Sequence, residues 1–164
     1  MAVRAFLKRL RPAQFWELIK LFGGHPLYAW ITFRATRKTV ARAYEHFGKR
    51  HHKNYPANAF RHALWNVLIA KGISDLGHTT DKASYWAKRI TDWHEDFSPN
   101  SPLERAMDLH NNEVGRLLFA KNPGKTVPFF INSLLALTRR SLRITAISEI
   151  PKGKLRMVHL IEPI

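Results

Sequence analysis

The chain has 164 residues, a formal net charge of +15 and no cysteine. Hydrophobic residues make up 45% of it and aromatic residues 12%, which excludes a disordered chain and suits one domain with a single core. The lack of cysteine excludes disulfides, zinc ribbons and cysteine nucleophiles. A positive surplus of this size predicts an anionic partner, such as nucleic acid or a phospholipid surface.

The N-terminal segment MAVRAFLKRLRPAQFW mixes basic and apolar side chains. Its apolar residues Val3, Phe6, Leu7 and Leu10 predict one face of a short basic amphipathic helix. The segment has neither the apolar stretch nor the cleavage site of a secretory signal, and no apolar run reaches the ~18 residues of a membrane span. We therefore expect a cytoplasmic protein, with export by a route that needs no such signal as the alternative.

Proline, glycine and capping residues divide the chain into five to six predicted helices, with Thr80 and Ser101 as N-caps. The helices are expected at residues 12–22, 26–47, 57–71, 80–97, 102–121 and about 127–140. After them, two alternating segments flank the turn PKGK and predict a β-hairpin within residues 142–164. The expected fold is one all-α domain, residues 1–164, with a small C-terminal β-hairpin whose exposed edge offers pairing to a protein partner.

Charge divides the chain into regions. Residues 1–53 contain 12 basic and 2 acidic side chains, whereas residues 54–122, the motif-bearing core, contain eight of each. The basic N-terminal part predicts an anion-binding surface, with an ordinary solvated face as the alternative. Its candidate residues are Arg34, Arg37, Lys38, Arg42, Lys49, Arg50 and Lys53.

The central predicted helix, 57–71, is apolar on nearly every side, which predicts a position in the middle of the domain. It nevertheless carries Asn58, His62 and Asn66 at i, i+4 and i+8, one above the other on a single side. Burying such groups without partners costs about 1–3 kcal/mol each. We therefore expect other side chains, a metal ion or a substrate to contact them.

The next helix offers His94 and Glu95 as partners. Its buried stripe is expected to run through Trp93 and Phe97, which places His94 at the edge of the interior and Glu95 nearly opposite. His94 is therefore the predicted interior group, unless the helix unwinds before the SPNSP turn. Position 98 is serine, so the HExxH zinc motif is absent.

In the helix 102–121, one polar face combines Glu104, Asp108, Asn111, Asn112 and Gly115, with Arg116 at its margin. A glycine within a helix costs about 1 kcal/mol relative to alanine, which indicates close approach of another backbone or a ligand. His110 is expected to project toward the core, away from Asp108.

Three interpretations fit this set of residues. In the first, His62, His94 and Asp108 bind zinc, manganese or iron, with Asn112 or Asn111 as a further ligand or as a hydrogen-bond donor behind the ligands. Glu95 or Glu104 would be the general base, and Arg61 or Arg116 would hold an anionic substrate. In the second, a His–Asp pair acts without metal, and in the third the same residues form a structural network. The residues expected to support the site or contact substrate are Asn58, Asn66, Asn111 and His110.

The motifs NAFRHALWN, WHE and MDLHNNEVGR resemble an uncharacterised family of bacterial helical domains. Members occur as small stand-alone proteins and as C-terminal modules of secreted proteins of the polymorphic-toxin kind. The resemblance covers about residues 57–118. It implies one motif set, which lies in Arg61, His62, Trp65, Asn66, His94, Glu95, Asp108, His110, Asn111, Asn112, Gly115 and Arg116. It also implies an enzyme or effector, often a hydrolase of nucleic acid, lipid or cell wall.

The resulting hypothesis is a metal-assisted, toxin-like hydrolase of an anionic substrate, a phosphodiester in nucleic acid or phospholipid. The alternative is a non-catalytic basic module that binds nucleic acid or an acidic protein, with the His/Asn/Asp cluster holding the core together.

Overall fold

The computed structural model describes residues 12–49 and 54–161. The predicted N-terminal amphipathic helix, Arg50 and Lys53 lie outside these residues. The described chain forms six helices followed by a small parallel sheet, and the expected all-α fold is confirmed. The helices are α1 (Pro12–Gly23), α2 (Pro26–Phe47), α3 (Pro56–Ser74), α4 (Thr80–Phe97), α5 (Pro102–Lys121) and α6 (Val127–Arg139). The C-terminal elements are β1 (Leu142–Arg143), a 3-10 helix (Ile147–Glu149) and β2 (Val158–His159).

The helix starts follow from their first residues. Proline lies at the start of α2, α3 and α5, where its missing N–H removes no helical hydrogen bond. Ser101 caps α5 as predicted, whereas the N-cap of α4 is Thr79, one residue before the predicted Thr80. Among the helices of residues 12–49 and 54–161, none has the length and hydropathy needed to cross a membrane.

Helix α3 is the centre of the molecule and packs against α2, α4, α5 and α6. Its apolar side chains are buried on every side, as the sequence predicts, and include the fully buried Phe60, Leu64 and Ile69. Helices α3 and α5 are in close backbone contact, since a β-carbon added at Gly115 would lie 2.2 Å from the Ala63 carbonyl oxygen. The predicted close approach at Gly115 is therefore to backbone.

The two C-terminal strands pair in parallel, with Leu142 opposite Val158 and Arg143 opposite His159. The β-element lies in the predicted region, but its strands do not form the antiparallel pair of a hairpin. Alternation and a turn motif carry no information about strand direction, and the connection over residues 144–157 is long enough for a crossover. This C-terminal segment is fixed to α5 by hydrogen bonds from Asn111 and His110.

Candidate metal centre

The polar stripe of α3 is buried and faces α4 and α5. Asn58, His62 and Asn66 expose 3%, 1% and 0% of their surfaces. They lie on one side of a helix that is otherwise apolar, so each must find its partners on the neighbouring helices. The prediction that other groups contact this stripe is confirmed, because Asn58 bonds to Asp108 while His62 and Asn66 both contact Asn112.

The imidazole of His62 lies between two carboxylates. Its Nδ1 is 3.3 Å from Glu95 Oε1, and its Nε2 is 3.3 Å from Asp108 Oδ1. Glu95 and Asp108 expose only 1% and 4% of their surfaces. One ligand atom from each of the three residues lies within 4.8 Å of the other two. Helices α3, α4 and α5 thus each contribute to one cluster a side chain of a type that can bind a metal ion.

The interior residue at the end of α4 is Glu95, not His94. The buried stripe of α4 passes through Ala87, Thr91 and Glu95, so it lies to one side of the predicted stripe. Trp93 is only partly buried and Phe97 is exposed; their rings contact each other at 5.5 Å. The expectation that Glu95 points away from the interior was wrong because these two large rings were assumed to mark the buried side.

His94 packs edge-on against Trp65, with 5.2 Å between the ring centroids. Burial lowers its pKa to about 4, against a smaller opposing effect of Glu95. A neutral His94 therefore lies beside the cluster rather than within the group of three ligand atoms.

Amide side chains complete the cluster. Asn112 Nδ2 donates to Glu95 Oε1, while Asn112 Oδ1 accepts from Asn66 Nδ2 at 2.8 Å and lies 3.3 Å from His62 Nδ1. Asp108 accepts from Asn58 at 2.9 Å and from Asn100 at 3.0 Å. Asn100 was missed by the sequence analysis; its position in the SPNSP turn, just before the helix that carries Asp108, was the available signal.

Two arginines border the cluster from opposite ends of the stripe. An amino group of Arg61 donates to Asn58 Oδ1 and lies 2.7 Å from His62 Nε2. Arg116 donates to Asn66 Oδ1 at 2.9 Å. Burial lowers the pKa of both guanidinium groups, and in Arg61 the charges of Asp108 and Glu95 oppose this effect. Their ordinary pKa is so high that both remain cationic at neutral pH.

The two carboxylates differ in their electrostatic environments. Burial would raise the pKa of Glu95, but its hydrogen bond and charge interaction with His62 leave that pKa below its ordinary value. Burial raises the pKa of Asp108, which the charges of His62 and Arg61 only partly oppose. The surroundings thus favour the ionised form of Glu95 and disfavour that of Asp108.

Three other predicted site residues have structural contacts. The Glu104 carboxylate accepts from the Ser101 backbone N–H at 2.8 Å and from Asn54, as part of the capping box that starts α5. His110 Nε2 lies 2.7 Å from the Arg156 carbonyl oxygen, and Asn111 exchanges two hydrogen bonds with the Val158 backbone. The structure therefore does not bring these three residues to the cluster.

The predicted basic surface is divided. Arg34, Arg37, Lys38 and Lys49 are exposed, and Arg37 lies over the ring of Phe33. Arg42 forms an ion pair with Glu45 at 2.6 Å, so part of its charge is already compensated.

An open groove of about 1030 Å³ runs between α4 and α5. Arg116 lines it and also donates to Asn66, so this residue connects the groove with the buried cluster. Both acidic and basic side chains line the groove, and among them Lys88 pairs with Asp92 and Arg105 with Asp96.

Comparison with known proteins gives one family. No curated protein and no solved structure gives a significant match to the chain. The family profile matches residues 19–141, which include α2 through α6 and every residue of the cluster. The chain therefore belongs to the family described as "Domain of unknown function (DUF6973)".

Proposed function

We propose that this protein is a metal-dependent hydrolase of phosphodiester substrates, with the ion held by His62, Glu95 and Asp108. The observation that carries the proposal is the convergence of three metal-ligating side chains, from three helices, within 4.8 Å. The repulsion between two buried carboxylates this close is partly opposed by His62 and Arg61, and a bound divalent cation would oppose it further. Because the family has no assigned function, the proposal rests on the geometry and chemistry of these residues.

The donor set suits a divalent ion. Two carboxylates neutralise two positive charges, and an imidazole is a common ligand of zinc, manganese and iron. Ligands about 2.1 Å from a tetrahedral ion lie about 3.4 Å apart. The separation between His62 Nδ1 and Glu95 Oε1 is 3.3 Å, which is close to this spacing. Asp108 Oδ1 lies 3.3 Å from the other ring nitrogen, Nε2, and one ion binds only one of the two nitrogens, so the three ligand atoms together are grouped within 4.8 Å. Asn112 Oδ1 offers a further oxygen.

A second observation concerns the other oxygen of Glu95. Glu95 Oε2 is buried and has no hydrogen-bond partner among residues 12–49 and 54–161. An unsatisfied buried acceptor costs about 1–3 kcal/mol, and more when the group is charged. A cation bound by this carboxylate would remove that cost.

A metal ion in this position would lower the pKa of a bound water and polarise a phosphoryl oxygen. The arginines supply the positive charge for an anionic substrate. Arg116 lies where the cluster meets the groove between α4 and α5, and we infer that the substrate phosphate binds there. With Glu95 as a ligand and Glu104 in a helix cap, neither residue is assigned as the general base.

The test is elemental mass spectrometry of the untagged protein, together with two histidine variants. We expect near-stoichiometric zinc, manganese or iron in the wild type and in His94→Ala, the matched control beside the cluster. His62→Ala should lose the metal. Hydrolysis of bis(p-nitrophenyl) phosphate should follow the metal content and stop on addition of a chelator.

Two results would contradict this proposal. A wild-type protein that binds no metal after reconstitution would leave the cluster as a structural network. Hydrolysis that persists without metal but disappears in His62→Ala would indicate the metal-free His–Asp alternative.

The second candidate function is a basic module that binds nucleic acid, and it is favoured by the exposed Arg34, Arg37 and Lys38 of α2. Charge reversal at Arg34 and Arg37 should then weaken binding to duplex DNA and lower its salt dependence. Arg89→Glu, an exposed arginine on α4, is the control. Binding that is insensitive to salt would exclude this function.

A further inference from the structure

A separate cavity of about 470 Å³ lies where the end of α2, the start of α3, the end of α6 and strand β2 meet. None of the cluster residues His62, Glu95 and Asp108 lines it. Its polar side chains come from α2, α6 and β2, from the residue just before α3 and from the residue just before β1. The aromatic, basic and hydroxyl-bearing side chains of its lining include His46, Phe47, Tyr55, Arg139, Ser141 and His159.

The side chains lining this cavity that can carry a charge near neutral pH are basic. Arg139 and two histidines, His46 and His159, line it, and none of its described lining residues is acidic. By contrast, the groove between α4 and α5 is lined by acidic as well as basic side chains. A guanidinium and two imidazoles without a carboxylate form an environment that favours an anion. The first turn of α3, at Pro56 and Ala57, adds the positive end of a helix dipole.

One part of the wall is held in place by the fold. His159 is 4% exposed, and its Nδ1 lies 2.9 Å from Ser141 Oγ. His159 pairs with Arg143 in the parallel sheet, so both the imidazole and its serine partner are tied to the β-element. A serine hydroxyl that a buried imidazole holds in this way can bind a phosphate with little loss of side-chain entropy.

The remaining wall is aromatic. Phe47 packs against Phe60, with 5.2 Å between ring centroids, and Tyr55 lies beside it at the entrance to α3. Both side chains are partly buried and line the same cavity as Arg139. Ligand sites of this size, about 300–1,000 Å³, typically combine an apolar wall with a few convergent polar groups.

We propose that this cavity binds a small phosphate ester. The phosphate contacts Arg139, His46 and Ser141, and the ring or apolar part of the ester lies against Phe47 and Tyr55. The site is distinct from the metal centre and does not depend on it.

Isothermal titration calorimetry with AMP, inorganic phosphate and adenosine tests the proposal on the full chain. We expect AMP to bind more tightly than phosphate, and adenosine to bind least. Arg139→Gln and His46→Gln should each weaken AMP binding by about tenfold. Arg140→Gln, which replaces the adjacent exposed arginine outside the cavity, should leave the affinity unchanged.

The His62→Ala variant separates this site from the metal centre, because it should retain AMP binding. Loss of AMP binding in His62→Ala would overturn the proposal by placing the ligand at the metal centre. If Arg139→Gln and Arg140→Gln weaken AMP binding equally, general charge attraction rather than the cavity explains the binding, and the proposal is wrong. If AMP binds no more tightly than inorganic phosphate, the claim that the ligand is an ester is wrong. If none of the three probes binds, the claim that the cavity is a binding site is wrong. Thermal unfolding of each variant checks that the fold is intact.

Discussion

Gly115 of α5 lies against the backbone of Ala63 in α3, so close that a β-carbon at position 115 would be 2.2 Å from the Ala63 carbonyl oxygen. His62 precedes Ala63 in the chain, and Asn112 lies one helical turn before Gly115. This backbone contact therefore sets the helix separation at which Asn112 meets both His62 and Asn66. The motif glycine is thus a requirement of the geometry of the cluster.

Gly115→Ala should destabilise the protein by about 3 kcal/mol. The new methyl group meets backbone, which cannot rotate away, so the two helices must separate. Urea unfolding followed by circular dichroism measures the change. Gly124→Ala, where an added β-carbon would meet nothing within 4 Å, is the matched control and should be nearly neutral. Equal stability of the two variants would show that α3 and α5 separate at little cost.

Asn111→Ala should release the C-terminal segment from α5. Asn111 donates to the Val158 carbonyl and accepts from the Val158 N–H, so the substitution leaves both backbone groups without their partner. We expect a loss of about 2–3 kcal/mol and faster amide exchange at Val158. Hydrogen exchange measured by NMR gives both quantities. Asn132→Ala, an exposed residue of α6, should change neither; unchanged exchange in Asn111→Ala would assign the strand's stability to other contacts.

The fold was predictable because its signals are local. Proline at helix starts, glycine after helix ends and the apolar circumference of α3 each indicate an element without knowledge of its neighbours. The site was predictable only in part. His62, Asp108 and Asn112 were identified because polar residues repeat at helical spacing. Glu95 was named only as a candidate general base and was expected to point away from the interior. Which side of α4 faces the core depends on its packing angle against α3 and α5, and no residue within α4 specifies that angle.

The parallel pairing of β1 with β2 also depends on tertiary packing, and for that reason it was not predicted. Alternating residues identify both strands, but the direction of β2 depends on where its segment docks. That docking is through Asn111 and His110, residues that had been considered for the site. Their polar character correctly indicated buried contacts, but the partners are backbone groups of the C-terminal segment rather than the cluster.

Glu104→Ala should destabilise the protein at neutral pH and lose this effect in acid. The hydrogen bonds from Ser101 and Asn54 lower the pKa of the Glu104 carboxyl below its ordinary value of 4.5. A lowered folded-state pKa gives stability that is present above pH 4.5 and is lost as pH falls through the folded-state value. Loss of the capping contact should cost about 1 kcal/mol at pH 7.

Urea unfolding of wild type and Glu104→Ala at a series of pH values checks this prediction. The difference between the two should shrink as the pH falls below the ordinary value. Glu104→Gln keeps an acceptor for the Ser101 N–H and should show a weaker pH dependence than wild type. A difference between wild type and Glu104→Ala that stays constant with pH would mean that the charge of Glu104 adds nothing to the cap.

Glu95→Gln separates a metal ligand from a structural hydrogen-bond acceptor. Glutamine keeps the size of the side chain and an oxygen that can accept from Asn112, but it removes the charge. If the cluster is only a network, removing the charge that interacts with His62 should lower the free energy of unfolding, because one partner of a buried pair is lost. If Glu95 is a ligand, metal content should fall with little change in the fold, and phosphodiester hydrolysis should fall by about 100-fold or more. Elemental mass spectrometry, circular dichroism and the bis(p-nitrophenyl) phosphate assay on one preparation give all three quantities. Full metal occupancy with an unchanged rate would remove Glu95 from the metal centre.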